Sequence, residues 1–487
     1  MSIKQKAVKG VVWTTIQNWG SQAGSLIVFF ILARLLQPQD FGLVALADVF
    51  LVFMQLLLEQ GFAQAIIQRQ ELEPEHLDTA FWISLAIGMS LTLIGFASAG
   101  WVAEFLKQPL LAPILQCLSP VFVISAFSRV QQAILERQFA FKAIALRWLV
   151  GTIAGGAVGI TLAFLGFGVW SLVIQRLVHE AIGTLMLWSA SNWRPGFKVS
   201  MPHFRQLFGF GINIMGFNVL NFFNTRINDF LIGYFLGLIA LGYYSVAYRV
   251  LTVMTQLLVR TSRDVALPTF SRLQTEPERF RRAFYTATQL TSTVAFPTFL
   301  GMATLAPELV LLLFGKQWQP SIPLMQILAL MGMLRAVTFF KGSVFIAMGK
   351  PAWWFWLSVL NVVLNLIGFA IAIPFGIQAV AFAYVLRGYL AFPVGQWAVS
   401  RLIQDPLLLY LRQFITPLVS ALVMATAILG AKQLLTVWLN PFGLLATCTF
   451  LGAMIHGLTI RLLAPQLFQQ VLDLARLAVS RTNNQNA

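Results

Sequence analysis

"LLQPQDFGLVALADV" (residues 35–49) and "FLGLIALGYYSVAYR" (residues 235–249) line up when the chain is laid over itself with a shift of 200 residues, setting Gly42 on Gly242 and Ala47 on Ala247. A slightly longer shift brings "GFGVWSL" (166–172) onto "PFGIQAV" (374–380), and a shift of 206 sets Arg129 on Arg335. Each match is short, but their common direction and similar offsets describe one unit present twice. Parallel repeats of this kind occur in transporters, which handle substrate between the two copies. Duplication kept only as a scaffold is the plainer alternative.

The composition says what the repeated unit is made of. Of 487 residues, 58% are hydrophobic and 10% charged, with a mean hydropathy of +0.77. Soluble domains carry about a quarter charged residues. A membrane span needs roughly 20 largely apolar residues. On that measure about fourteen spans lie near 11–36, 41–67, 78–106, 110–136, 142–165, 169–190, 208–236, 239–262, 283–314, 320–348, 352–373, 376–400, 410–431 and 441–463. The expected fold is an all-α polytopic membrane protein with two parallel six-helix lobes, residues 1–200 and 201–405. Two extra helices and a cytoplasmic tail follow over 406–487. An even number of spans per copy gives both copies the same orientation.

The net charge of +16 raises the question of nucleic acid, and the placement of the charges answers it. With the N-terminus taken as cytoplasmic, only Arg34, Lys107, Lys316 and Lys432 fall on the outer side. The Lys and Arg assigned to the two sides divide about 23 to 4 (Lys341 and Lys350 among those inside), the positive-inside signature, with both termini in the cytoplasm. Nucleic-acid binding is not expected. Cys117 and Cys448 fall inside spans, and His76, His179, His203 and His456 are scattered without ligand spacing, so neither a disulfide framework nor a metal site is expected. The N-terminus reads as a first span rather than a cleaved signal peptide. Connecting loops are too short for a soluble catalytic domain, which argues against an enzyme.

Helical spacing then shows which faces are wet. Thr14, Asn18, Ser21 and Ser25 share one face of the first span, with Gln22 beside them. Asn213, Asn221, Asn224 and Asn228 centre a polar face on the seventh, widened by Asn218, Thr225 and Asp229 and edged by Arg226. The second span carries Asp48, Gln55 and Glu59; the eighth carries Ser245, Tyr248, Arg249, Thr252, Thr255 and Gln256. Dry interhelical packing accounts for any one such stripe. Four stripes on equivalent spans of two copies favour a shared hydrated cavity.

Charges at membrane depth are expensive, roughly 2.5–3.5 kcal/mol each on insertion scales, and usually mark a pathway or a coupling role. Arg226 and Asp229, three residues apart, can also simply neutralise each other. With Asp48 and Arg249 expected at the same level, the functional reading gains. Arg129, Arg176, Arg335 and Arg387 lie within further spans. Arginine keeps its charge when desolvated and grips phosphate through paired hydrogen bonds, so an arginine-rich cavity suits an anionic cargo. Near an inner end, Arg176 can instead snorkel to headgroups. Trp188, Trp193, Trp353 and Trp354 read as an interfacial belt.

At these residues the chain resembles the oligosaccharide flippases of bacterial polysaccharide export, a branch of the multidrug/oligosaccharidyl-lipid/polysaccharide exporter superfamily. The likeness is carried by "LARLLQPQDFGLVALADVF", "LEQGFAQAIIQR", "QQAILERQFAFKAIA", "LGFGVWSLVIQR" and "RINDFLIGYFLGLIALGYYSVAYRV", spread over most of residues 10–260 and more faintly to about 400. The resemblance implies movement of an undecaprenyl-pyrophosphate-linked oligosaccharide unit across the bacterial plasma membrane by alternating access. The polyprenyl tail would stay in lipid, and polysaccharide polymerase and glycosyltransferases would be partner enzymes. It also implies coupling to a proton or sodium gradient, with no bound cofactor. The candidates to contact substrate are Arg226, Arg249, Arg129, Arg335, Asn18, Asn221 and Asn224; those for coupling are Asp48, Glu59 and Asp229.

Three rivals differ in their sequence requirements. A cation-coupled drug exporter on the same fold favours acidic and aromatic walls over arginines. A polytopic glycan ligase or polymerase needs a sizeable outer loop with catalytic residues, which this chain lacks. A lipid-scrambling protein leaves the charge cluster unexplained.

Overall fold

A computed structural model describes the backbone of residues 3–58, 61–69 and 71–473; within these, the side chains of residues 3–12, 14–19, 204–215, 217 and 259–265 lie outside the description. The first half is built from α1 (Ile3–Leu35), α2 (Pro38–Leu58), α3 (Phe62–Gln68), α4 (Pro74–Phe105), α5 (Leu111–Leu118), α6 (Val121–Arg137), α7 (Phe141–Phe164), α8 (Val169–Ala190) and α9 (Met201–Phe235). Then come α10 (Gly237–Leu273), α11 (Pro277–Thr304), α12 (Ala306–Leu313), α13 (Ser321–Thr338), α14 (Lys341–Ala347) and α15 (Pro351–Ala372). The last are α16 (Ile377–Ile403), α17 (Leu407–Arg412), α18 (Ile415–Leu435) and α19 (Pro441–Leu463). Among the described residues there is no strand.

Local chemistry sets the helix starts. Proline opens α2, α4, α11, α15 and α19, where its missing N–H is one the helix could not use. Asn440 adds a side-chain cap to α19, accepting the Gly443 N–H at 2.7 Å. Gly168 and Gly376, matched by the repeat, precede α8 and α16 with φ of 54° and 88°, which an L side chain rarely adopts.

Among the described residues, ten helical segments are long and apolar enough to cross a membrane, or eleven if α11 and α12, bent by 73°, form one broken span. The chain is therefore a multi-pass membrane protein. Three segments that read as single spans are interrupted, at Ser119–Pro120 between α5 and α6, at Phe339–Phe340 between α13 and α14, and at Gln413–Phe414 between α17 and α18. Three expected spans, α1, α8 and α9, are not in this set, and of these α1 and α9 include residues whose side chains lie outside the description. Helices α8 and α9 carry Arg176, Glu180, Arg226 and Asp229.

The chain divides into two compact units, Met1–Ser245 and Val246–Ala487. In the first, α7 packs between α1 and α8. Gly155 lets that packing close, since a Cβ there would stand 2.7 Å from the Gln175 carbonyl oxygen. Phe62, Ile66, Phe81 and Val130 form a core between α3, α4 and α6, and Trp188 and Trp193 pack on it. Those two indoles, expected in an interfacial belt, serve as packing groups here; Trp188 also donates to the Phe127 carbonyl at 3.0 Å. In the second unit α11 packs against α13 and α18, and α15 against α16.

One contact in the first unit reproduces the duplication directly. A Cβ on Gly42 would lie 2.0 Å from the Leu238 carbonyl oxygen, and one on Gly242 would lie 1.9 Å from that of Pro38. The 200-residue shift turns Pro38 into position 238 and Gly42 into position 242, so the two contacts are each other's image. The starts of α2 and α10 meet about a local two-fold, backbone to backbone.

Candidate functional site

In the first unit several charges inside the spans are paired. Arg226 Nη1 lies 3.4 Å from Asp229 Oδ2, one turn along α9, with Arg226 about a third exposed and Asp229 buried. Asp48 on α2 forms an ion pair with Arg176 on α8, and each side chain is 27% exposed, so the pair is reachable from outside the packed core. One turn further along α8, Glu180 lies 3.7 Å from Arg147 Nη2 on α7. Arg147 is buried and its Nη1 donates to Gln132 Oε1 on α6 at 2.5 Å. Gln132 in turn donates to Glu136 at 2.8 Å. Polar groups thus run continuously across α2, α8, α7 and α6. An arginine removed from water needs such a partner, because an uncompensated buried charge costs several kcal/mol.

In the second unit Lys432 pairs with Glu308 at 2.7 Å, but three other cations are held differently. Arg335 on α13 donates both Nη2 protons, to Tyr248 Oη on α10 and Tyr384 Oη on α16, each at 2.8 Å. Its guanidinium stacks 5.4 Å from the Tyr248 ring centroid. Arg387, buried, lies 4.7 Å from the Tyr384 ring centroid and donates to the Asn361 carbonyl and Oδ1 at 3.2 and 3.3 Å. Lys341, also buried, reaches the Phe392 carbonyl at 3.4 Å and sits 4.5 Å from that ring centroid. Among the described residues none of the three has a carboxylate within 4.0 Å. Neutral oxygens and aromatic faces hold these cations in place without cancelling their charge.

The sequence-derived candidates fall out unevenly on this geometry. Arg226 and Asp229 are partners, as their spacing suggested. Arg335 is fixed by two phenols. Arg129 is half-buried on α6, and Arg249 is exposed on α10. Asn221 is exposed and Asn224 half-buried on α9, and the Asn221 carbonyl accepts the Thr225 hydroxyl at 2.8 Å. Glu59 and the side chain of Asn18 lie outside the described residues. Arg176, taken as a candidate to snorkel, is instead the partner of Asp48. Sequence spacing does not single out Glu180 or Arg147, and Lys341, placed among the inside charges by topology, is instead buried in the structure. The signal available for Glu180 was its step of four from Arg176 on one helical face.

A family model described as "Polysaccharide biosynthesis protein" matches residues 31–323. Among curated relatives, the succinoglycan biosynthesis transport protein ExoT of Rhizobium meliloti is 28% identical, over 96% of this chain and 95% of that one. The teichuronic acid biosynthesis protein TuaB of Bacillus subtilis is 24% identical, covering 88% of this chain and 90% of its own. The lipopolysaccharide biosynthesis protein WzxC of Escherichia coli is 26% identical, covering 91% and 86%. Among solved structures, the lipid II flippase MurJ in an inward closed conformation superposes with a TM-score of 0.76 at 15% identity, covering 94% of this chain and 99% of that one. An inward-facing multidrug resistance transporter of the MATE family, MOP superfamily, gives 0.62 at 15% identity, covering 79% and 96%. At those identities the structural likeness is one of fold.

Proposed function

Because this chain belongs to the polysaccharide biosynthesis protein family, we propose that it is a transporter, not an enzyme, that flips a lipid-linked oligosaccharide repeat unit between membrane leaflets for surface polysaccharide assembly. The cargo is a glycan on undecaprenyl pyrophosphate, moved from the inner to the outer leaflet of the bacterial plasma membrane by alternating access. Fourteen spans form two parallel six-helix lobes, residues 1–200 and 201–405, with two further helices over 406–487 and both termini in the cytoplasm. Arg335 contacts the pyrophosphate, and Arg226, Arg249 and Arg129 are the other candidates to meet its negative charge; Asn18, Asn221 and Asn224 meet the sugar. Asp48, Glu59 and Asp229 serve coupling to a proton or sodium gradient. The polymerase and glycosyltransferases of the same polysaccharide are its partners.

The observation that carries this reading is the bonding of Arg335. Two phenols orient it, no described carboxylate neutralises it, and its Nη1 and Nε remain for a ligand. An oriented guanidinium with spare donors matches a diphosphate. The transport protein ExoT among the relatives, and the fold shared with the lipid II flippase MurJ, point the same way. The test is deletion of the gene followed by analysis of the lipid-linked glycans. A pyrophosphate-linked repeat unit should accumulate on the inner leaflet, and complementation with Arg335→Gln should leave it there. Normal surface polysaccharide in the deletion strain would remove the proposal.

A further inference from the structure

We propose that Glu73, His76 and His203 form a binding site for a transition-metal dication, zinc above all, that ties the start of α9 to the start of α4. The three residues come from the loop before α4, its first turn, and the first turn of α9. One ligand atom from each lies within 4.8 Å of the other two. Glu73 Oε2 and His203 Nε2 are already 3.1 Å apart, close to the ~3.3 Å between neighbouring ligands of a tetrahedral ion with bonds of about 2.0–2.1 Å. The two imidazole rings meet edge to face at 4.1 Å between centroids. Two imidazoles and one carboxylate are a donor set for zinc, cobalt or copper rather than magnesium or calcium.

The surroundings prepare the site. His76 is 1% exposed, and its Nδ1 lone pair, which accepts the Glu73 N–H at 3.2 Å, is the one the ring would give to the metal in exchange for that hydrogen bond. His203 Nδ1 is buried with no hydrogen-bond partner, while Glu73 is exposed and gives solvent a way in. The linker before α9 is already laid along α4. Asp78 accepts the Gly196 N–H at 2.9 Å, Thr79 the Ser200 N–H at 3.0 Å, and Trp82 stacks on Phe197 at 5.5 Å. A neutral imidazole keeps one proton and one lone pair, so each ring ligates while neutral and releases any second proton to water. Both helices point their N-termini at this spot, which disfavours a bare cation. The Glu73 carboxylate offsets that field, so its charge matters more than its shape.

The test uses the full chain in detergent, purified without a histidine tag and stripped with chelator. Cobalt is titrated while its visible d–d bands are followed, and zinc is titrated by calorimetry. One saturable equivalent should appear, with zinc displacing cobalt. His203→Ala and Glu73→Gln should each weaken binding at least tenfold, and His179→Ala should leave it unchanged. His203 is only half-buried, so an unaltered elution profile for His203→Ala keeps the comparison valid if His76→Ala unfolds. No saturable cobalt spectrum in the unmodified chain, or the same affinity in His203→Ala, would overturn the site and leave only a hydrogen-bonded carboxylate and imidazole. Because the readout is binding, it stands or falls apart from the transport proposal.

Discussion

Arg335 is held by the two phenol oxygens of Tyr248 and Tyr384, one proton of Nη2 on each. Lysine has the charge without the planar fork, so Arg335→Lys should insert normally but lose orientation. A charge-assisted hydrogen bond contributes about 1.5–3 kcal/mol, so the flipping rate in proteoliposomes should fall on the order of 10- to 100-fold. Tyr384→Phe, which removes one anchor, should fall by less. Equal rates for Arg335→Lys and the unmodified chain would show that the fork is not used. Asp48 and Arg176 call for a paired test, because each side chain is the other's partner. Asp48→Asn alone strands Arg176, and Arg176→Gln alone strands Asp48. The double substitution should be more stable than the sum of the singles predicts, by roughly 0.5–3 kcal/mol, measured by thermal unfolding in detergent. Additive losses would mean that the ion pair contributes nothing. The intramembrane arginines were legible because a guanidinium inside a span stands out. That Arg176 pairs with Asp48 was not, since the two lie 128 residues apart and neither helix pattern names its neighbour. The meeting of His76 and His203 escaped sequence spacing for the same reason.

At the scale of the element, the contact of α2 with α10 is the sharpest constraint. A Cβ on Gly42 or Gly242 would meet a carbonyl oxygen at 2.0 or 1.9 Å, and backbone cannot swing aside as a side chain can. Gly42→Ala and Gly242→Ala should each destabilise the protein by about 1–3 kcal/mol, the usual range for overpacking. Gly100→Ala is the control. It lies exposed on α4 with nothing within 4 Å of its would-be Cβ, and should be neutral or slightly stabilising. A melting curve for Gly42→Ala no lower than that of Gly100→Ala would show that the helices part without cost. The glycine match was legible in the sequence because the shift of 200 residues put Gly42 on Gly242. Helix starts were legible too, wherever a proline stood. The interruption between α13 and α14 was not: Phe339 and Phe340 carry no turn signal, and an apolar run reads as continuous whether or not it bends.

At the scale of the whole molecule, the two units hold most of their buried charges differently, although Lys432 and Glu308 of the second are also paired. The first sets Asp48 against Arg176, Asp229 against Arg226 and Glu180 against Arg147. In the second, Arg335, Arg387 and Lys341 have neutral partners only, among the described residues. Pairing suits groups that exchange a cation or proton for a neighbour's charge; unneutralised cations suit a negatively charged cargo. On the proposed roles, coupling at Asp48 and pyrophosphate contact at Arg335 fall on different residues, and substitutions should separate the two. In vesicles with an imposed proton or sodium gradient, the double variant Asp48→Asn, Arg176→Gln removes an acid without leaving a stranded cation. It should still move lipid-linked glycan down its own concentration gradient while losing most of the acceleration that the ion gradient gives. Arg335→Gln should do the reverse, slow in both conditions by a similar factor, with the ratio between them kept. The ratio is the decisive readout, because a general folding defect lowers both rates together. If the double variant keeps the unmodified ratio, Asp48 has no part in coupling and the acid of α9 becomes the next to test, through Asp229→Asn.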